Sequence, residues 1–297
     1  MEFKQLRSFV EVVETGSFTK AAERLFVSQP TISTHIRLLE EEFGTRLVLR
    51  DGKRVEATVK GLEIFKEARK ILNLHDRLLR TCAASKDPVI SLGASTIPSA
   101  YILPEILPAF GKLYPDIYFN ISQNDSQGVI DGLLDGLFDV GLIGMKPERQ
   151  SLEALPFCLD RMVLITPVSQ HFLSYKKEDT FPAEAFRKEP IILRESGSGS
   201  LKSADSFLEG LGIDQSDLTV AARINDQEAI KNLVAGGLGI SFISERAAKN
   251  FILEKRVLAF ELPGQAASRE LYVVTRKNDI LRPEVTDFKK FILRFYN

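Results

Sequence analysis

Two groups of residues in this sequence have types and spacings that can do chemistry. The first is a polar row, Gln29, Pro30, Thr31, Ser33, Thr34 and Arg37, interleaved with Ile32, Ile36, Leu39 and Phe43. The apolar set recurs at the i, i+4, i+7 spacing of a buried helical stripe, which puts Pro30, Ser33, Thr34 and Arg37 on the opposite side. Small hydroxyls and a guanidinium without bulky hydrophobes form a face that fits the major groove of DNA and reaches base edges. Ser28 is placed to cap this helix, and Pro30 is tolerated in a first turn whose N–H groups have no helical partner. The second group is a pair of loops, Ser95-Thr96-Ile97-Pro98-Ser99 and Ser196-Gly197-Ser198-Gly199-Ser200. Each follows an apolar strand and opens a helix, so hydroxyls and free N–H groups meet the positive end of a helix dipole, which suits an oxyanion. For one such loop alone, helix capping is the better explanation of the residues. Two loops on opposing lobes favour the ligand.

The remaining chemistry is sparse. Cys82 and Cys158 stand alone without Cys-x-x-Cys spacing, and only His35, His75 and His171 supply imidazoles, so no metal site or cofactor site is legible. Gly236-Gly237-Leu238-Gly239 precedes a strand, where a dinucleotide loop has to follow one. Ser198 lacks a complete Gly-x-Ser-x-Gly elbow because Ser196 and Ser200 take the outer positions, and no His adjoins it, which disfavours a hydrolase. A net charge of −1 argues against a protein that coats nucleic acid through bulk charge. The local balance differs: Arg46, Arg50, Lys53, Arg54 and Lys60 face only Asp51 and Glu56, a set suited to phosphates.

The elements that must position these groups follow from periodicity. Leu6, Phe9 and Val13 give a first helix its stripe, Gly16-Ser17-Phe18 starts a second, and Ala21-Ala22 lets it pack closely. Strands are expected at 46–50 and 55–58 around an Asp51-Gly52 turn. A helix is expected over 58–84, with Ile64, Ala68, Ile71, His75, Leu78 and Cys82 as a heptad-like seam and Leu62, Phe65, Leu72 and Leu79 as a second row. That much apolar surface demands a partner helix; His75 reads as a packing residue in the seam. Lys86-Asp87-Pro88 breaks the helix. Strands are then expected at 89–94, 117–123, 140–143, 162–166, 191–194, 220–224, 240–243 and 271–275, with helices at 99–113 and 128–137 among them. This βαβ alternation predicts an α/β protein with two small doubly wound sheets and a cleft between them.

The ordered matches, from the first-helix stripe through Gly16-Ser17-Phe18, Ala21-Ala22, Ser28-Gln29-Pro30, Leu39-Glu40 and Phe43-Gly44 to the basic wing, resemble the LysR-type transcriptional regulators along the whole chain. Val48 stands where that family usually has Phe. The resemblance implies a winged helix-turn-helix at 1–58, a linker and dimerisation helix at 59–87, and a type-2 periplasmic-binding-protein-like effector domain at 88–297. Its lobe one is expected at 88–162 and 268–297 and lobe two at 163–267. Gln29, Pro30, Thr31, Ser33, Thr34, Arg37, Arg50, Lys53 and Arg54 are the expected DNA contacts. Ser95, Thr96, Gln123, Ser126, Ser198, Gly199, Ser200 and Asn225 are the expected effector contacts, with Asn124 and Asp226 beside them. Gly144-Met145-Lys146 lacks the hydroxyl of the sulfate-binding members. Arg194 reads either as a carboxylate partner or as a surface residue, and Asp139 as strand entry. The expected partners are double-stranded operator DNA, a small anionic effector, further copies of the chain as a homodimer or homotetramer, and RNA polymerase. With no export signal or apolar span, a cytoplasmic protein is expected, which disfavours a transporter's solute-binding protein.

Overall fold

The computed structural model describes residues 1–51, 54–82, 88–177, 181–263 and 268–296. The chain divides into two compact units, with Met1–Lys86 the body of the first and Asp87–Leu134 with Phe138–Asn297 forming the second.

In the first unit, α1 (Phe3–Thr15), α2 (Phe18–Arg24) and α3 (Gln29–Phe43) close around Leu6, Phe9, Ala21, Ala22, Ile32, Ile36 and Leu39. Gly16 and Gly44 end α1 and α3 in left-handed backbone, φ 61° and 62°, each returning its N–H to a carbonyl four residues back. A side chain there would meet the steric penalty that glycine avoids. Val13 is only partly buried, and Phe43, expected in the buried stripe, is 37% exposed because α3 stops beside it. The wing is the antiparallel pair β1 (Val48–Asp51) and β2 (Arg54–Ala57), in register Val48↔Ala57 to Asp51↔Arg54. Glu40 ties it to α3: its Oε1 accepts the N–H groups of Leu47 (2.8 Å) and Val48 (3.3 Å).

The linker helix α4 spans Val59–Cys82. The two expected rows are divided differently from their periodicity. Ala68 and Leu72, with Ile64 and Phe65, turn inward onto the core of this unit, while Leu62, Ile71, Leu74, Leu78 and Leu79 remain exposed. The His75 ring packs 4.2 Å from that of Phe3. The expected last turn at 83–84 and the break at Lys86 and Asp87 lie outside the described residues.

The second unit begins with β3 (Val89–Ala94), a π-helical turn at Pro98–Ile102, α5 (Leu103–Leu113), β4 (Tyr118–Gln123), α6 (Ser126–Leu134) and β5 (Val140–Ile143). The chain then enters β6 (Leu152–Thr166), followed by α7 (Gln170–Lys177), α8 (Ala185–Lys188), β7 (Ile191–Arg194), α9 (Gly199–Gly210) and β8 (Val220–Ile224). It closes with α10 (Gln227–Ala235), β9 (Ser241–Ser244), α11 (Glu245–Leu253), β10 (Leu258–Glu261), β11 (Ser268–Arg276) and α12 (Pro283–Phe295). In lobe one, β4, β3 and β5 run parallel and β11 joins antiparallel to β5. In lobe two, β7 and β8 are parallel, and β9 and β10 flank the end of β6 antiparallel. One mixed seven-stranded sheet thus runs β10-β6-β11-β5-β3-β4 with β9 also on β6, because the chain changes lobe along β6 and returns along β11, and the parallel pair β7–β8 joins it only through the Ile191↔Ile240 bridge, in place of the two doubly wound sheets expected.

Those two strands differ most from expectation. β6 runs 15 residues where a strand over 162–166 was expected, and β11 pairs with it from Ser268↔Arg161 to Arg276↔Leu152. Two cores result. The first packs Ile90, Leu92, Ile106 and Phe110 under α5 and α12, whose Phe288 meets Phe110 edge-on at 5.0 Å, and runs on into lobe two through Ile192, Ile230, Ile243 and Phe251. Lobe two packs Leu164, Phe186, Ile191, Phe207 and Phe242.

Candidate functional site

The outward face of α3 is arranged as sequence periodicity requires. Gln29, Pro30, Thr34 and Arg37 are exposed, and Thr31 and Ser33 half-buried. Ser28 Oγ accepts the Thr31 N–H at 3.3 Å and so caps the helix. Gln29 Nε2 donates to Ser33 Oγ (3.1 Å), and Arg37 pairs with Glu41 one turn on (2.5 Å). Ser33, Thr34, Arg37, Arg46 and Leu49 line a concave surface of about 570 Å³ between α3 and β1. Arg50 lies on β1 and Arg54 on β2, while Lys53 lies outside the described residues. The arrangement sets a two-stranded wing beside a helix whose outward face carries hydroxyl, amide and guanidinium donors of the kind that reach base edges.

In the second unit the two hydroxyl loops meet. Ser95, Thr96 and Ser126 from lobe one and Ser198, Gly199 and Ser200 from lobe two line a single cavity, together with Ile97, Asp125, Arg194 and Arg269. Its free volume is about 10 Å³, room for a water-sized group, because the lobes are in contact. A Cβ on Gly197 would lie 2.7 Å from Asp125 Oδ2, and one on Gly199 would lie 2.6 Å from the Gly144 carbonyl oxygen. The hydroxyls of Thr96 and Ser198 already have protein partners. Ser198 Oγ caps α9 by accepting the Ser200 N–H (3.2 Å), and Thr96 Oγ1 accepts from Arg194 Nη2 across the cleft (3.2 Å). Arg194, 4% exposed, also grips the Glu195 carboxylate with Nε and Nη2 (2.7 and 2.8 Å), so the carboxylate that meets it here is internal. Gln123, Asn124, Asn225 and Asp226 are exposed and do not line this cavity.

Sequence reasoning missed the pair beneath the cleft. Asp160 on β6 is fully buried and accepts from Arg269 Nε (3.0 Å) and Nη2 (2.9 Å) and from Ser244 Oγ (2.5 Å). The third nitrogen, Arg269 Nη1, donates to Ser200 Oγ (3.0 Å). The two residues are 109 positions apart, and no local pattern joins them. Asp139 accepts the Ser91 N–H (2.9 Å) and pairs with Arg282 (2.8 Å), which fixes entry into β5. Gly236 closes α10, in keeping with a helix stop and turn.

A larger cavity of about 500 Å³ adjoins the first, sharing Gly199 and Arg269 with it. Gly144-Met145-Lys146, with Pro147 and Glu148, forms its lobe-one wall, Lys202, Ser203 and Ser206 of α9 its lobe-two wall, and Ser268, Glu270 and Tyr272 of β11 complete it. Burial first, and then the hydrogen-bonded Glu270 carboxylate, push the Tyr272 phenol up to about 12.

Comparison with known proteins agrees with this division. Residues 3–62 match the family model described as bacterial regulatory helix-turn-helix protein, lysR family, and residues 83–296 match the LysR substrate binding domain. The chain is 29% identical over 274 residues to the HTH-type transcriptional regulator CysL of Bacillus subtilis, covering 91% of this chain and 90% of CysL. It is 31% identical over 291 residues to the uncharacterized HTH-type transcriptional regulator MJ0300 of Methanocaldococcus jannaschii, covering 97% of each. Full-length CbnR, in a crystal structure with its target DNA, superposes over 100% of both chains with a TM-score of 0.74 and 24% identity. None of the described helices is long and apolar enough to cross a membrane. Helix-turn-helix, wing and two-lobed unit thus follow one another as in these relatives, and the chain belongs to the LysR family of DNA-binding transcriptional regulators with an effector-binding domain.

Proposed function

We propose that this regulator reads its operator through Ser33, Thr34 and Arg37, with Gln29, Pro30 and Thr31 at the helix start and Arg50, Lys53 and Arg54 on phosphates. The division of labour is one of chemistry: a guanidinium in a groove discriminates bases, whereas a wing cation releases counterions from any sequence. Arg37→Ala is expected to cost on the order of 1–3 kcal/mol at a site selected from random duplexes and to relax specificity there. Lys53→Ala is expected to weaken all sequences alike and to flatten the salt slope by about one. Titrations of both variants against selected and random DNA check this. Equal losses on both DNAs for both variants would count against the division.

The second unit acts as a sensor. A small anion works between its lobes and changes DNA binding by changing how they meet, in a cytoplasmic protein that carries out no turnover and assembles as a dimer or tetramer, with RNA polymerase as a further partner. The observation that carries this reading is the convergence of loops from opposite lobes, bridged by Arg194 and Thr96, on one cavity. A ligand shifts such an equilibrium only through different affinity for different lobe arrangements. An anion held by Thr96 and Ser198 has to displace Arg194 from Thr96, so it belongs to an opened arrangement.

Gly199 gives a test that needs no ligand. Its missing side chain lets lobe two rest on the Gly144 carbonyl, and the Cβ of Gly199→Ala would strike that oxygen at 2.6 Å. The substitution is expected to part the lobes and shift operator affinity on the order of fivefold or more, the usual scale of allosteric coupling. Unchanged operator affinity in a folded Gly199→Ala protein would refute the coupling of lobes to DNA.

A further inference from the structure

With the lobes in contact, the hydroxyl-lined chamber has no room for an organic molecule, whereas the chamber beside it has the volume of a small-molecule site, commonly about 300–1,000 Å³. Resting on the reading of an interlobe ligand, we propose that the ligand is seated in this outer chamber and is a small organic acid, with its carboxylate on Lys146 and Lys202 and its apolar body on Met145, Pro147 and Tyr272.

Three observations carry the assignment. The chamber is walled by both lobes and by the returning strand β11, so whatever fills it touches every part whose relative position the sensor reports. Its cations are incompletely matched. Lys146 has no hydrogen-bond or ion-pair partner among the described residues, and Lys202 has only Glu148, at 3.2 Å, with both side chains largely in solvent. An exposed pair of that kind holds weakly, and a ligand carboxylate that displaces Glu148 gains two lysines from opposite lobes. Of the two acids of the wall, Glu148 pairs with Lys202 and Glu270 accepts the Tyr272 hydroxyl, and neither lies within ion-pair distance of Lys146, which leaves that cation for a ligand. Met145, Pro147 and Tyr272 in the same lining add the apolar surface that favours a carboxylate on an organic frame over a bare inorganic anion.

The floor supplies the link to the inner chamber. Arg269 lines both, and its guanidinium joins Asp160 on β6 to Ser200 at the start of α9. An acid in the outer chamber presses on the same arginine that ties the crossing strand to lobe two. A ligand can therefore act on the lobes without entering between Thr96 and Ser198.

The test uses purified full-length protein at fixed ionic strength, titrated by calorimetry with butyrate, hexanoate, octanoate and adipate, and with hexanamide and inorganic phosphate as the uncharged and frame-free probes. Saturable binding of a carboxylate is expected, at least about tenfold tighter than hexanamide, the scale of a lost charge-assisted contact. Lys146→Ala and Lys202→Ala are each expected to weaken it about tenfold or more. The Thr96→Ala, Ser198→Ala double variant should bind the same acid within about twofold, since removing those hydroxyls touches no group assigned to the ligand. Loss of binding in the double variant with normal lysine variants would move the ligand to the inner chamber, overturning the seat while leaving the interlobe reading intact. Phosphate binding as tight as any carboxylate, or no saturable binding of any acid, would overturn the ligand class. The Gly199→Ala experiment decides the regulatory reading separately.

Discussion

Leu78→Asp is expected to turn the assembled regulator into monomers without unfolding it. In the single chain Leu78 is 59% exposed, so an aspartate there loses nothing within its own unit. Ile71, Leu74 and Leu78 are spaced three and four apart on one side of α4, with Leu62 and Leu79 extending the exposed apolar surface. A stripe of that width is stable in water only when covered, and in the proposed dimer a second copy of the same helix would cover it with matched residues. Placing a carboxylate in the middle of such a seam leaves an unpaired charge out of water, a cost of about 3–5 kcal/mol. The consequence on DNA is larger than on the fold. In the proposed dimer two heads joined by the seam would read two half-sites with the second contact made intramolecularly, and separating them would forfeit an avidity on the order of 10²–10⁴. Sedimentation at micromolar concentration and titration of a two-half-site operator check both statements. A variant that still sediments as the wild type would remove α4 from the interface.

Asp160→Ala carries the second large effect, and it falls on the effector unit alone. The carboxylate is fully buried and satisfies two Arg269 nitrogens and the Ser244 hydroxyl. Removing it leaves a guanidinium with 9% side-chain exposure and no counter-charge, which costs about 3–5 kcal/mol in buried pairs of this kind. A denaturant titration should show the second unit unfolding earlier while the helix-turn-helix unit holds its midpoint. Replacing both partners by apolar residues, Asp160→Leu with Arg269→Met, is expected to recover much of the loss, since desolvating the pair offsets most of its attraction. The same double variant should still lose ligand response, because Arg269 no longer connects β6 with Ser200. A single variant as stable as the wild type would mean that water reaches the pair.

How much of this was legible in the sequence depended on the range of the contacts involved. The recognition helix was legible because cap, proline, buried stripe and polar row all lie within 17 residues, from Ser28 to Gly44, and Ser28, Ile32, Ile36 and Leu39 take the expected positions. The short parallel strands were legible as apolar runs, as at Val89–Ala94 and Ile191–Arg194. The first half of β6 was not. Its residues alternate irregularly between buried and exposed because one edge belongs to β11, which is distant in sequence. The C-terminal helix α12 was not among the expected elements, although Val285, Phe288 and Ile292 keep the i, i+3, i+7 spacing of a buried stripe. For the cleft, local chemistry identified both hydroxyl loops, yet it also suggested Gln123 and Asn225, which lie at strand ends and face solvent. Whether a loop residue reaches a cavity depends on the angle at which its strand arrives, and that angle is set by the whole sheet. Arg269 and Asp160 were invisible for the same reason.

The double crossing also sets the kind of motion available. β6 and β11 stay hydrogen-bonded up to Ser268↔Arg161, beside the point where the chain passes into lobe two, so the lobes are joined by a two-stranded ribbon. A ribbon resists stretching and shear but yields to twist, and its one irregularity, between Leu271 and Tyr272, is where the ladder is already interrupted. Tyr272 and Glu270 at that interruption line the outer chamber. A twist of one lobe against the other would therefore be taken up along this ribbon, next to Glu270 and Tyr272 in the wall of the larger cavity.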